Sequence, residues 1–220
     1  MRLALFALLI GASTIASAQQ IGPLTDPRLI NPGMWSGMWS VDFDRVRDKD
    51  FVAEDFHLGT FETRALRQFQ DAIKAREPGA IETARRNAEA ATYSRDAQYI
   101  LGTLYLRLAE QKDDDRLRRV AVNRMLGSAK VPLDMLPTVY KLQGLVAARQ
   151  NDWGKAESAF RKLVRVAPQT PEARAMLGRV RLARGNVEGA IPLYRQAIAL
   201  KQARGEPVPA DWAAVIEAGR

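Results

Sequence analysis

The chain has 220 residues, 47% apolar and 26% charged, which suits a packed core and argues against global disorder. It has no Cys and a single His, His57, which excludes disulfides, thiolate chemistry and any site needing two histidines. The net charge is +8 and uneven: residues 19–136 hold 18 basic and 18 acidic side chains, whereas residues 137–220 hold 14 basic and 7 acidic.

In chain order, residues 1–18 read as a secretory signal peptide. Arg2 is followed by the apolar run Leu3 to Ala12, and Ala16-Ser17-Ala18 supplies a small-x-small cleavage site. The run is shorter than the ~20 apolar residues of a spanning helix, so cleavage before Gln19 is expected. No other segment is long and apolar enough to span a bilayer. The mature protein is then expected in the periplasm, with secretion to the medium as the alternative. In such a setting the basic C-terminal half would favour acidic proteins or anionic envelope lipid and polymer, and nucleic acid is not expected.

Residues 19–53 form an irregular arm rich in Pro, Gly and Asp, with the short repeat Gly33-Met34-Trp35-Ser36-Gly37-Met38-Trp39-Ser40. Trp35 and Trp39 either fold back as a cap or wait for a partner or second subunit. Asp42, Asp44, Asp48 and Asp50 lack the Gly turn and closing Glu of a calcium loop, and Arg45 and Arg47 interrupt them, so no metal is expected.

From residue 54 onward apolar residues recur at helical spacing. Helices are expected at 54–76, 80–93, 95–109, 114–129, 136–150, 153–166, 171–184, 187–203 and 209–218, with no strand. A turn is expected at Glu77-Pro78-Gly79, and an insertion between helices at Glu110 to Asp115. Asp113-Asp114-Asp115 would cap the helix at 114–129. Residues 205–220 would close the array with a helix whose apolar face is Trp212, Val215 and Ile216.

Self-comparison shows a 34-residue period. Pro137–Thr170 aligns without a gap on Pro171–Arg204, pairing Gly144 with Gly178, Ala156 with Ala190 and Phe160 with Tyr194. Two degenerate copies precede these, placing small residues at Ala72 and Gly102. The small residues let the two helices of a unit approach closely, the aromatic is expected to fill the space between units, and Pro168 ends a helix. These residues resemble the tetratricopeptide repeat. The resemblance is closest over 137–204, and it implies an all-α superhelix of about four helix–turn–helix units over 54–204.

The resemblance also implies a concave groove lined by the first helix of each unit. It would be lined by Asp96, Tyr99, Thr103, Leu106 and Arg107; by Thr138, Lys141, Leu145, Ala148 and Arg149; and by Glu172, Ala175, Arg179, Leu182 and Ala183. The earliest unit would add Leu66, Phe69, Ile73 and Arg76. The partner-binding set drawn from these is Tyr99, Arg107, Lys141, Leu145, Arg149, Arg179 and Leu182, which suits an acidic or apolar protein segment. The Lys/Asn carboxylate clamp of chaperone-binding members is absent, because Lys141 is followed by Leu145. Arg174 and Arg181 stand where the family places large apolar residues. No nucleophile elbow, phosphate loop or zinc motif occurs. The expected function is therefore that of a non-catalytic, cofactor-free adaptor or assembly factor in the cell envelope. The alternative is a peripheral binder of anionic lipid or polymer.

Overall fold

The computed structural model describes residues 56–218. The signal peptide expected at residues 1–18, the expected arm with Trp35 and Trp39, and the Asp42–Asp50 run lie outside the described residues. Within them the chain is helical without strands: α1 Thr60–Ala75, α2 Pro78–Ala91, α3 Arg95–Lys112, α4 Asp115–Ser128, α5 Leu136–Arg149, α6 Trp153–Val166, α7 Pro171–Ala183, α8 Val187–Ala203 and α9 Ala210–Ala218. They fall into two compact units, residues 56–139 and 140–218, with the division inside α5.

Side chains set the helix starts. Ser94 accepts the Ala97 N–H at 3.1 Å at the head of α3, and Asp114 accepts those of Arg116 and Leu117 at 2.7 and 3.1 Å at α4. Asp152 and Asn186 do the same for α6 and α8. Three expected boundaries are corrected. Residues 56–59 are not helical, and α1 starts at Thr60. Pro78 and Gly79 are not a turn but the first residues of α2, where a missing N–H costs nothing. The insertion at 110–115 shrinks to Asp113-Asp114: α3 continues its buried face through Leu108 and Ala109 and runs on to Lys112. Asp113 then stops it in the left-handed conformation, φ 48°.

In the N-terminal unit, α3 and α4 pack through Gly102. A Cβ there would lie 2.6 Å from Met125 Cγ and 3.0 Å from the Ala121 carbonyl oxygen. Leu66, Phe69, Ile73, Ile100, Leu101, Tyr105 and Met125 make the core, with Phe69 edge-on to Tyr105 at 5.9 Å.

In the C-terminal unit the same device appears twice. Gly144 accommodates the Phe160 ring, and Gly178 the Tyr194 ring; an added Cβ would sit 2.5 and 2.8 Å from ring carbons. The final helix α9 buries Trp212 and Val215, with Trp212 edge-on to Tyr194 at 6.4 Å.

Candidate functional site

The first helices α3, α5 and α7 place the implied groove residues very unequally. On α3, Asp96, Tyr99, Thr103 and Leu106 are buried. Asp96 accepts the backbone N–H of His57 at 2.9 Å and pairs with Lys130 at 3.1 Å. Tyr99 is 7% exposed and stacks on Phe56 with centroids 5.3 Å apart. Burial pushes its hydroxyl up to about 12, and the Asp134 charge adds to the shift. The segment before α1 thus lies against α3 and leaves Arg107 half-exposed.

On α5, Leu145 is 0% exposed and offers no surface in this conformation, whereas Lys141 and Arg149 are half-buried. Burial lowers the Lys141 pKa, against an opposing effect of the Glu172 carboxylate. On α7, Glu172 pairs with Lys201 at 2.7 Å, and Arg179 pairs with Asp211 at 2.6 Å. Leu182 packs against the cluster that contains Ala175, Tyr194, Trp212 and Val215. The structure therefore brings Arg179 and Leu182 together under α9, buries Tyr99 and Leu145, and leaves Arg107, Lys141 and Arg149 as partly exposed cations.

The out-of-pattern Arg174 and Arg181 have structural work. Arg174 donates to the Pro168 carbonyl and, at 3.2 Å, to Gln196. Arg181 donates to the Gly189 carbonyl at 2.9 Å and lies 3.5 Å from Glu157. Their long side chains tie the turns that flank α7.

Sequence reasoning missed two carboxylate hubs. Glu62, 1% exposed, accepts the N–H groups of Gly59, Tyr93 and Ser94 at 3.0, 3.1 and 2.9 Å, and the Ser94 hydroxyl at 3.0 Å. Burial raises its pKa, but these hydrogen bonds outweigh burial and the net shift is downward. The Gly59-x-x-Glu62 spacing of a capping box was the available signal, masked by Gly at the cap position. Glu157 is likewise buried, and its pKa is lowered because Arg161 and Arg184 outweigh the effect of burial. Only its pairing with Arg161, four residues on, was visible in the sequence.

Among the described residues, no group of three or more His, Asp or Glu is placed to hold a metal ion, and no helix is long and apolar enough to cross a membrane. Helix pairs joined by turns of two or three residues, two of them keyed by a glycine against an aromatic, make a helical-repeat architecture. Residues 141–207 match the family model for the tetratricopeptide repeat, a protein-interaction repeat. Comparison with curated proteins finds none that matches the chain.

Proposed function

We propose that the protein is an exported adaptor or assembly factor that binds a segment of another cell-envelope protein through the first helices of its repeats. The match of residues 141–207 to the tetratricopeptide repeat carries this reading. The apolar start at Leu3 to Ala12 and the small residues Ala16 to Ala18 support export. Arg107, Lys141 and Arg149 retain partly exposed long side chains and would meet acidic groups on the partner. No covalent step is involved.

The test is capture from envelope extract by residues 19–220, beside Lys141→Glu/Arg149→Glu, with a photo-crosslinker at position 107. One stoichiometric protein, crosslinked at 107 and lost with the double variant, is the expected result. Capture that survives charge reversal and yields no crosslink overturns the assignment of this face.

A second reading is peripheral binding to anionic lipid or polymer. It is favoured by the excess of basic residues in 137–220 and by the exposure of Lys162, Arg165 and Arg195 on the second helices. Co-sedimentation with anionic vesicles that falls steeply with salt, in place of a captured protein, would favour it.

A further inference from the structure

The last first-helix, α7, is already covered. Its positions Ala175, Arg179 and Leu182, implied as partner-facing by the repeat, all meet the C-terminal helix α9 or the cluster it completes. Asp211 supplies a carboxylate to Arg179 at 2.6 Å. Trp212 and Val215, each 4% exposed, fill the cluster with Tyr194, Ala190 and Ala197, and Ile216 packs at its edge. The pattern on α9 is compact: an acid, an aromatic directly after it, and an aliphatic pair beginning three residues further on.

Two properties make α9 resemble a bound ligand. It has nine residues, fewer than the ~12–15 at which an isolated helix becomes even marginally stable in water, so its order derives from docking. It is also tethered by a short segment, Arg204 to Pro209, that turns at Gly205, φ 65°, and carries two prolines. A short tether gives a high effective concentration, on the order of millimolar or more, so even weak docking is saturated in cis.

We infer that α9 is a cis-held ligand on a receptor made by Ala175, Arg179, Leu182 and Tyr194, and that a partner's short amphipathic helix of the same acid–aromatic–x–x–aliphatic–aliphatic chemistry binds there by displacing it. Resting on the partner-binding reading above, this names what the partner segment presents and how access is regulated. At this receptor the chain competes with its own partner, and docking there is weak until α9 is released.

The probe is a labelled synthetic peptide of residues 206–220, titrated against full mature chain, residues 19–220. The wild type should bind it at least ~10-fold more weakly than Trp212→Ala/Val215→Ala, in which the cis competitor docks poorly. A peptide carrying Asp211→Arg should lose at least ~10-fold against that variant, and Arg179→Asp in the variant should restore it. Asp211→Arg in the chain alone keeps the tryptophan anchor and should raise peptide affinity severalfold; it serves if the double variant loses helicity. In the wild type, amides of 210–218 should exchange with solvent ahead of those of α7 and α8. Equal peptide binding by wild type and variants, no binding by well-folded variants, or a dimer exchanging its C-terminal helices would each overturn the inference. Partner capture is not involved, so peptide binding without a captured protein would sink the adaptor reading alone. Capture without peptide binding would sink this inference alone.

Discussion

The two compact units solve the same packing problem with different side chains. In the C-terminal unit a glycine faces a rigid ring: Gly144 faces Phe160, and Gly178 faces Tyr194. In the N-terminal unit Gly102 faces Met125, a flexible chain, while its aromatics Phe69 and Tyr105 meet each other instead. Close helix approach needs a small residue opposite any filler, but a recognisable repeat needs the same filler each time. That is why the family match covers residues 141–207, while α1–α4 keep a helix-pair fold without sharing the match.

The contrast can be broken by substitution. The largest effect is expected for Phe160→Ala, which removes a fully buried ring and should cost about 3–5 kcal/mol in chemical denaturation. A loss below about 1 kcal/mol would show that the ring does not hold the unit together. Next comes Gly144→Ala, at about 1–3 kcal/mol, because the added Cβ meets ring carbons that cannot bend away. Gly102→Ala should cost less than Gly144→Ala, since only Met125 Cγ, on a flexible chain, stands closer than 3.0 Å to the added Cβ, whereas three ring carbons of Phe160 do so at Gly144. The reverse order would refute the distinction between rigid and flexible fillers.

The carboxylate hubs sharpen the comparison further. Glu62 is neutralised mainly by backbone N–H groups, and Glu157 by arginines. Glu62→Gln turns an amide donor toward donors and should cost about 1–3 kcal/mol at neutral pH. The folded-state pKa of Glu62 is depressed, so its contribution is present above the ordinary value of 4.5 and fades as pH falls through the lowered value. The wild type should therefore lose thermal stability more steeply below about pH 4.5 than Glu62→Gln, and parallel Tm–pH curves would dismiss this role. Glu157→Gln should cost less, about 0.5–1 kcal/mol, because Arg161 and Arg184 stay largely in water, and the loss should shrink with salt.

Much of this architecture was legible in the sequence. Period, caps and turn residues placed α6 and α8 at their observed bounds and most other helices within a few residues. What failed was local chemistry read too literally. Pro78-Gly79 looked like a turn and is a helix start, and Glu110 to Lys112 looked like a loop but extend α3. The implied groove was harder to read. Repeat positions say which side chains face one direction, not what else comes to cover them. Phe56 covers Tyr99 from outside the repeat, α9 covers Arg179 and Leu182 from beyond it, and neither contact has a periodic signature. Glu62 escaped notice because its donors at Tyr93 and Ser94 lie more than thirty residues away.

The helix ends hold an unused reserve. Among the described residues Arg76, Asp113, Ala129 and Asn151 all take left-handed backbone conformations, and Ala129, at φ 56°, has no polar side chain to ease it. Such a conformation costs an ordinary residue about 1–2 kcal/mol, part of which glycine would recover after its own entropic penalty. Ala129→Gly should accordingly raise stability by about 0.5–1 kcal/mol, and an unchanged or lowered Tm would show the turn to be unstrained. In engineering terms, the turn that follows α4 is a place where this scaffold can be hardened without touching any side chain proposed to meet a partner.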